Sequence, residues 1–130
     1  MSHHRETVTA VGAPAAVGPY SHAVKSNGFL FCSGQIPLDP ETDELVGGSA
    51  ADQARRCLQN LEAVCSAGGA QLSDAVRCTL WLTDMADVAE VNKVYEECFP
   101  ADPPDRVGVA VSALPKGAQV EIDAIVALPD

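Results

Sequence analysis

The chain has 130 residues, 47% of them apolar, with eighteen acidic side chains against eight basic ones and a formal net charge of −10. That length suits one domain with one core and leaves no room for two. An acidic chain without any basic run repels phosphate backbones and polyanionic membrane surfaces, so neither nucleic acid nor a membrane is expected as a partner.

Gly12, Pro14, Gly18 and Pro19 punctuate the first 19 residues, which read as loop with a short strand at 7–11. Asn27-Gly28 separates the alternating run 20–25 from the apolar run 29–32 and predicts a hairpin. Pro37, Pro40 and Gly47-Gly48 mark a long surface loop. Ser49 is a helix N-cap, with Asp52 three residues on near the positive helix end. Ala54, Cys57, Leu58, Leu61, Val64 and Cys65 then recur at helical spacing until Gly68-Gly69 stops the helix. Val76, Cys78, Leu80 and Leu82 alternate with Arg77, Thr79 and Trp81, a strand with one strongly apolar face. Asp87 and Glu90 open a second helix whose stripe is Val88, Val91, Val94, Tyr95 and Cys98, and Pro100 ends it. Strands at 106–112 and 119–128 follow, separated by Leu114-Pro115-Lys116-Gly117.

The order ββ-α-β-α-ββ, with a short strand in front, predicts a single α+β domain over residues 1–130, its two helices packed on one face of a mixed sheet. In the last strand Val120, Ile122, Ala124 and Val126 share one face, and Glu121, Asp123 and Ile125 share the other. A sheet covered on one face only calls for self-association to cover the second. The five cysteines are widely spaced without a CxxC pair, which reads as small buried apolar residues in a reducing compartment. His3-His4 is too short for a metal tract, and no stretch nears the roughly 20 apolar residues that span a bilayer. Without an N-terminal apolar leader, the expected location is cytoplasmic.

Chemistry-bearing residues are few. In the strand at 106–112, Val107, Val109 and Val111 take one face and Arg106, Gly108, Ala110 and Ser112 the other. A guanidinium followed by three small residues leaves a hollow that suits a small carboxylate, or Arg106 merely snorkels at a strand start. Glu121 interrupts a β-branched strand. It either orients or deprotonates a water at a partly enclosed position, or belongs to a solvated face with Asp123. Tyr20 offers an aromatic wall with a polar tip, and Ser33 with the Gly34 amide could donate hydrogen bonds to an anion; ordinary turn chemistry is the other reading of both. Asn92 lies beside the apolar stripe of the second helix. His22 is the only histidine within the folded body, so no metal site is expected.

Taken together, these motifs resemble the reactive intermediate deaminase (RidA/YjgF) family, which also carries an L-PSP endoribonuclease label. The resemblance rests on Gly18-Pro19-Tyr20-Ser21, Cys32-Ser33-Gly34-Gln35-Ile36-Pro37, Val91-Asn92-Lys93-Val94-Tyr95-Glu96, Pro104-Asp105-Arg106 and the run from Ala113 to Ile125. It implies a chorismate-mutase-like fold, a homotrimer with ligand clefts between subunits, and no cofactor. It also implies hydrolysis of 2-aminoacrylate and related enamines or imines to 2-keto acids and ammonia. By resemblance Arg106 grips the substrate carboxylate, Glu121 holds the attacking water, and Tyr20, Ser33, Gly34 and Asn92 complete the pocket. Gly108 stands where many members carry cysteine; a role of the backbone carbonyl there survives the change, whereas a role of the thiol does not. Two rival readings stand beside this one: a non-catalytic module that binds small carboxylates such as 2-keto acids, and an endoribonuclease or translation inhibitor, which the charge of −10 disfavours.

Overall fold

The computed structural model describes residues 4–130, so His3 of the His3-His4 pair lies outside the described residues. Its strands and helices, in chain order, are β1 (Glu6–Val8), β2 (Ala23–Ser26), β3 (Phe29–Gln35), α1 (Ala50–Ala67), β4 (Ala75–Leu82), α2 (Val88–Cys98), β5 (Asp105–Ala110) and β6 (Val120–Ala127). The six strands form one sheet in the order β1-β2-β3-β6-β4-β5. All neighbours are antiparallel except β4 and β5. Parallel neighbours need a crossover connection, and α2 supplies it.

Local chemistry explains most of these boundaries. Asn27 and Gly28 have φ of 52° and 82°. Two successive positive values make the type I′ turn whose twist suits a two-residue hairpin. Ser49 and Asp52 form a capping box: the Ser49 hydroxyl accepts from the Asp52 N–H at 3.2 Å, and the Asp52 carboxylate accepts from the Ser49 N–H at 3.1 Å. The second helix opens differently from the expectation. Asp87 makes no capping bond; Asp84 accepts from the Ala86 N–H at 2.9 Å and starts a single tight turn that runs into α2.

Along β6 burial alternates without a break, Val120, Ile122, Ala124 and Val126 facing inward. α1 lies across β3 and β6 and packs beside α2, so both helices cover one face of the sheet. Leu61 and Val64 of α1 share a buried apolar cluster with Leu30, Leu80 and Ile122. Each such fully buried aliphatic side chain contributes about 1.5–3 kcal/mol relative to exposure.

The other face is open, and two expectations change there. Val76 does not join Cys78, Leu80 and Leu82, because a bulge between Ala75 and Arg77 inserts a residue and reverses the alternation; Val76 is 45% exposed. β5 stops at Ala110 rather than running to 112, and Val107 and Val109 are 42% and 37% exposed, because β5 is an edge strand and no helix lies over that side. Phe29 and Phe31 are exposed on the same open face. Four cysteines are buried and Cys98 is partly so. Burial pushes the Cys57 and Cys78 thiols up, and Cys98 is pushed up to about 11 by burial and then by Glu62. Among the described residues no helix is long and apolar enough to cross a membrane.

Candidate functional site

Because Val120 and Ile122 face the helices, the strand geometry of β6 turns Glu121 to the open face, where it is half-buried. A second bulge, in β3 between Cys32 and Gln35, takes Ser33 and Gly34 out of the ladder beside it. The close approach is what requires glycine: a Cβ at Gly34 would stand 2.1 Å from Glu121 Oε2. Around them lies a cavity of about 400 Å³, walled by Pro14, Val17, Tyr20, His22 and Pro115. Burial, and secondarily the charge of Asp123, push the Glu121 carboxyl above its ordinary range. Asp123 is fixed in place, accepting from Trp81 Nε1 at 3.1 Å and from the Thr79 N–H at 3.3 Å.

The hydroxyl of Ser33 donates to the Ser21 carbonyl at 2.6 Å, and its backbone N–H donates to the His22 carbonyl at 3.0 Å. Both of its protons are therefore committed within the chain, and toward a ligand Ser33 Oγ is an acceptor rather than the expected donor. Tyr20 stands at the cavity mouth, half exposed, its hydroxyl accepting from the Val17 N–H at 3.4 Å.

Arg106 is elsewhere. It pairs with Cys78 across β4 and β5, whereas Glu121 pairs with Trp81 across β4 and β6. Cys78 and Trp81 are an odd number of residues apart, so their side chains leave opposite faces of the sheet. Arg106 thus belongs to the helix side of the edge strand and Glu121 to the open side of a central one. The guanidinium donates through Nη1 to Asn92 Oδ1 at 2.6 Å and lies 5.0 Å from the centroid of the Tyr95 ring. These contacts orient it over a second cavity of about 300 Å³ that Glu96, Phe99 and Pro104 help to line. Among the described residues no carboxylate pairs with Arg106, so part of its donor fork stays available for an anion. Gly108 lies two residues along the same face, and a Cβ there would meet nothing within 4 Å.

The structure therefore gathers Tyr20, Ser33, Gly34 and Glu121 at one place and Arg106, Asn92 and Gly108 at another. Tyr95 was legible only as part of an apolar stripe; its spacing of three from Asn92 on one helix face is the signal that pairs them. His22 and Asp123 carry no sequence signal for their roles, which depend on loop and cross-strand partners. Among the described residues no group of three or more His, Cys, Asp or Glu side chains is arranged to hold a metal ion.

Known proteins share this sequence and fold. Protein DfrA of Myxococcus xanthus is 51% identical over 123 residues, covering 93% of this chain and 94% of that protein. The 2-iminobutanoate/2-iminopropanoate deaminase of Mus musculus is 40% identical over 121 residues, covering 93% of this chain and 90% of its own length. The crystal structure of RidA from the Antarctic bacterium Psychrobacter sp. superposes with a TM-score of 0.91 at 42% identity, covering 95% of this chain and 99% of that one. Residues 11–128 match the family model for Endoribonuclease L-PSP, and with relatives of this identity and coverage the chain belongs to that family, the RidA/YjgF family.

Proposed function

We propose that the protein hydrolyses enamine and imine intermediates such as 2-aminoacrylate, releasing a 2-keto acid and ammonia. The observation that carries this reading is Glu121, a half-buried carboxylate with a raised pKa that lines a cavity together with Tyr20, Ser33 and Gly34. In this reading 2-aminoacrylate first takes a proton from solvent at C3 while its nitrogen gives one up, and so becomes 2-iminopropanoate. A water held by Glu121 then adds its oxygen to the electrophilic C2 while Glu121 takes a proton. The C=N π electrons move to nitrogen, which takes a proton from solvent; Glu121 then gives its proton to the same nitrogen, the C–N bond breaks and ammonia leaves as the C=O bond forms and the hydroxyl proton passes to solvent. Arg106, held by Asn92 and Tyr95, binds the substrate carboxylate, and positioning supplies most of the rate.

One chain keeps Arg106 and Glu121 on opposite faces, so the complete site requires the Arg106 edge of one copy against the open face of the next. A homotrimer is the assembly we propose for this, supported by the family membership and by Phe31, Val76, Val107 and Val109 exposed on the open face. A formal charge of −10 weighs against an RNA substrate. A binding module without turnover would use the same residues, and turnover separates the two.

The experiment is a coupled assay in which a pyridoxal-phosphate-dependent dehydratase supplies 2-aminoacrylate and keto-acid appearance is followed. The parent accelerates release. Arg106→Ala loses the anchoring pair, on the order of 2–5 kcal/mol or roughly 30- to 4,000-fold, and Arg106→Lys recovers little because the charge remains without the bidentate geometry. An Arg106→Ala protein that folds, assembles and clears 2-aminoacrylate at the parent rate refutes this function.

A further inference from the structure

Three of the cavity walls, Pro14, Val17 and Tyr20, come from a segment with no strand or helix, residues 9–21. Apart from the Ser33 hydroxyl on the Ser21 carbonyl at its last residue, its own hydrogen bonds are local: Ala13 N–H to the Ala10 carbonyl, Val17 N–H to the Tyr20 hydroxyl, Tyr20 N–H to the Gly18 carbonyl. The local bonds shape the segment but do not fasten residues 10–20 to the sheet. His22 does so. Its ring is buried just before β2, and its two nitrogens reach back 12 and 8 residues. Nδ1 lies 2.8 Å from the Ala10 nitrogen, and Nε2 lies 2.8 Å from the Pro14 oxygen. A backbone amide only donates and a carbonyl only accepts, so Nδ1 carries the lone pair and Nε2 the proton. The His22 carbonyl meanwhile accepts from the Ser33 N–H, which ties the same residue to the bulge beside Glu121.

We infer that His22 is a positioning residue of the site, a two-ended latch that holds residues 10–20 as the cavity wall facing Glu121. The inference rests on the proposed deamination for its kinetic consequence, whereas the latch itself is a matter of loop geometry. Without the ring, the Ala10 N–H and the Pro14 carbonyl lose their partners in a buried place, and the segment must open to let water satisfy them. Glutamine offers one acceptor and one donor on a side chain of similar reach. Phenylalanine fills the space with neither, and asparagine is too short to span both groups.

The test compares the parent with His22→Gln, His22→Phe and His22→Asn by amide hydrogen exchange and by the coupled assay. Exchange at Ala10 stays slow in the parent and His22→Gln and becomes fast in His22→Phe and His22→Asn, while core amides such as that of Leu80 are unchanged in all. In the kinetics, kcat/KM falls on the order of 10²-fold in the two latch-less variants, the size expected when a site wall shifts by about 1 Å, and His22→Gln restores it. The keto-acid Kd rises in parallel. A protected Ala10 amide in both latch-less variants overturns the inference, as does a His22→Gln protein as impaired as His22→Phe. If His22→Phe does not fold, His22→Asn carries the same comparison. If the parent is inert toward imines, the proposed function fails, and exchange at Ala10 alone still decides the latch.

Discussion

Glu121 is held where its charged form is disfavoured, and this fixes the sign of two measurements. Its carboxyl is raised in the folded chain, first by burial and then by Asp123, relative to an ordinary value of 4.5. A raised carboxyl favours folding below the unfolded pKa, and that contribution is lost as the pH climbs through the folded pKa. Near neutral pH the ionised Glu121 is therefore a stability cost, softened by solvent because the side chain is only half buried. Glu121→Gln melts above the parent at neutral pH, and the difference closes in acid. In the proposed reaction the same substitution removes the proton acceptor, so turnover drops roughly 10²- to 10⁴-fold while product keto acid binds nearly as before. In the parent the acid limb of the pH–rate profile lies above 4.5. A Glu121→Gln protein less stable than the parent, or equally active, contradicts this account.

Elements place these residues, and the bulge in β3 is the one on which the cavity depends. Gly34→Ala puts a methyl 2.1 Å from the Glu121 carboxylate, which must swing aside. Gly34 does not occupy the left-handed region, so the backbone tolerates alanine and stability changes by about 1 kcal/mol or less. Turnover falls on the order of 10²-fold through misplacement of the carboxylate. Thermal melting together with the coupled assay checks this, and parent-like turnover contradicts it. Signals that act over a few residues were legible in the sequence: Asn27-Gly28 for the turn, Ser49 with Asp52 for the first cap, Gly68-Gly69 for the stop. The two bulges were not, because a bulge depends on the partner strand's register, and Val76 was misplaced for that reason. The split of Arg106 and Gly108 from Val107 and Val109 followed from alternation alone. Which side met the helices followed only from the pairing of β5 with β4, which sequence alternation does not encode.

For the whole molecule, the two clusters matter together in the proposed reaction more than either does alone. The sheet stands between Arg106 and Glu121, so no side-chain rotation within one chain brings them together. In the proposed assembly every reacting centre borrows its anion clamp from one chain and its water-holding carboxylate from a neighbour. Inactive chains should then rescue one another. Mixing equal amounts of Arg106→Ala and Glu121→Gln, after dissociation and reassembly, leaves roughly a quarter of the interfaces with both groups intact, because each half has an even chance of being sound. The mixture regains about that fraction of parent turnover, although neither variant alone has any appreciable share. No recovery in a mixture shown by mass spectrometry to contain mixed assemblies places the whole reaction within one chain. By the same logic, a chain carrying both substitutions is a poison when co-expressed with the parent: it occupies two interfaces and silences both.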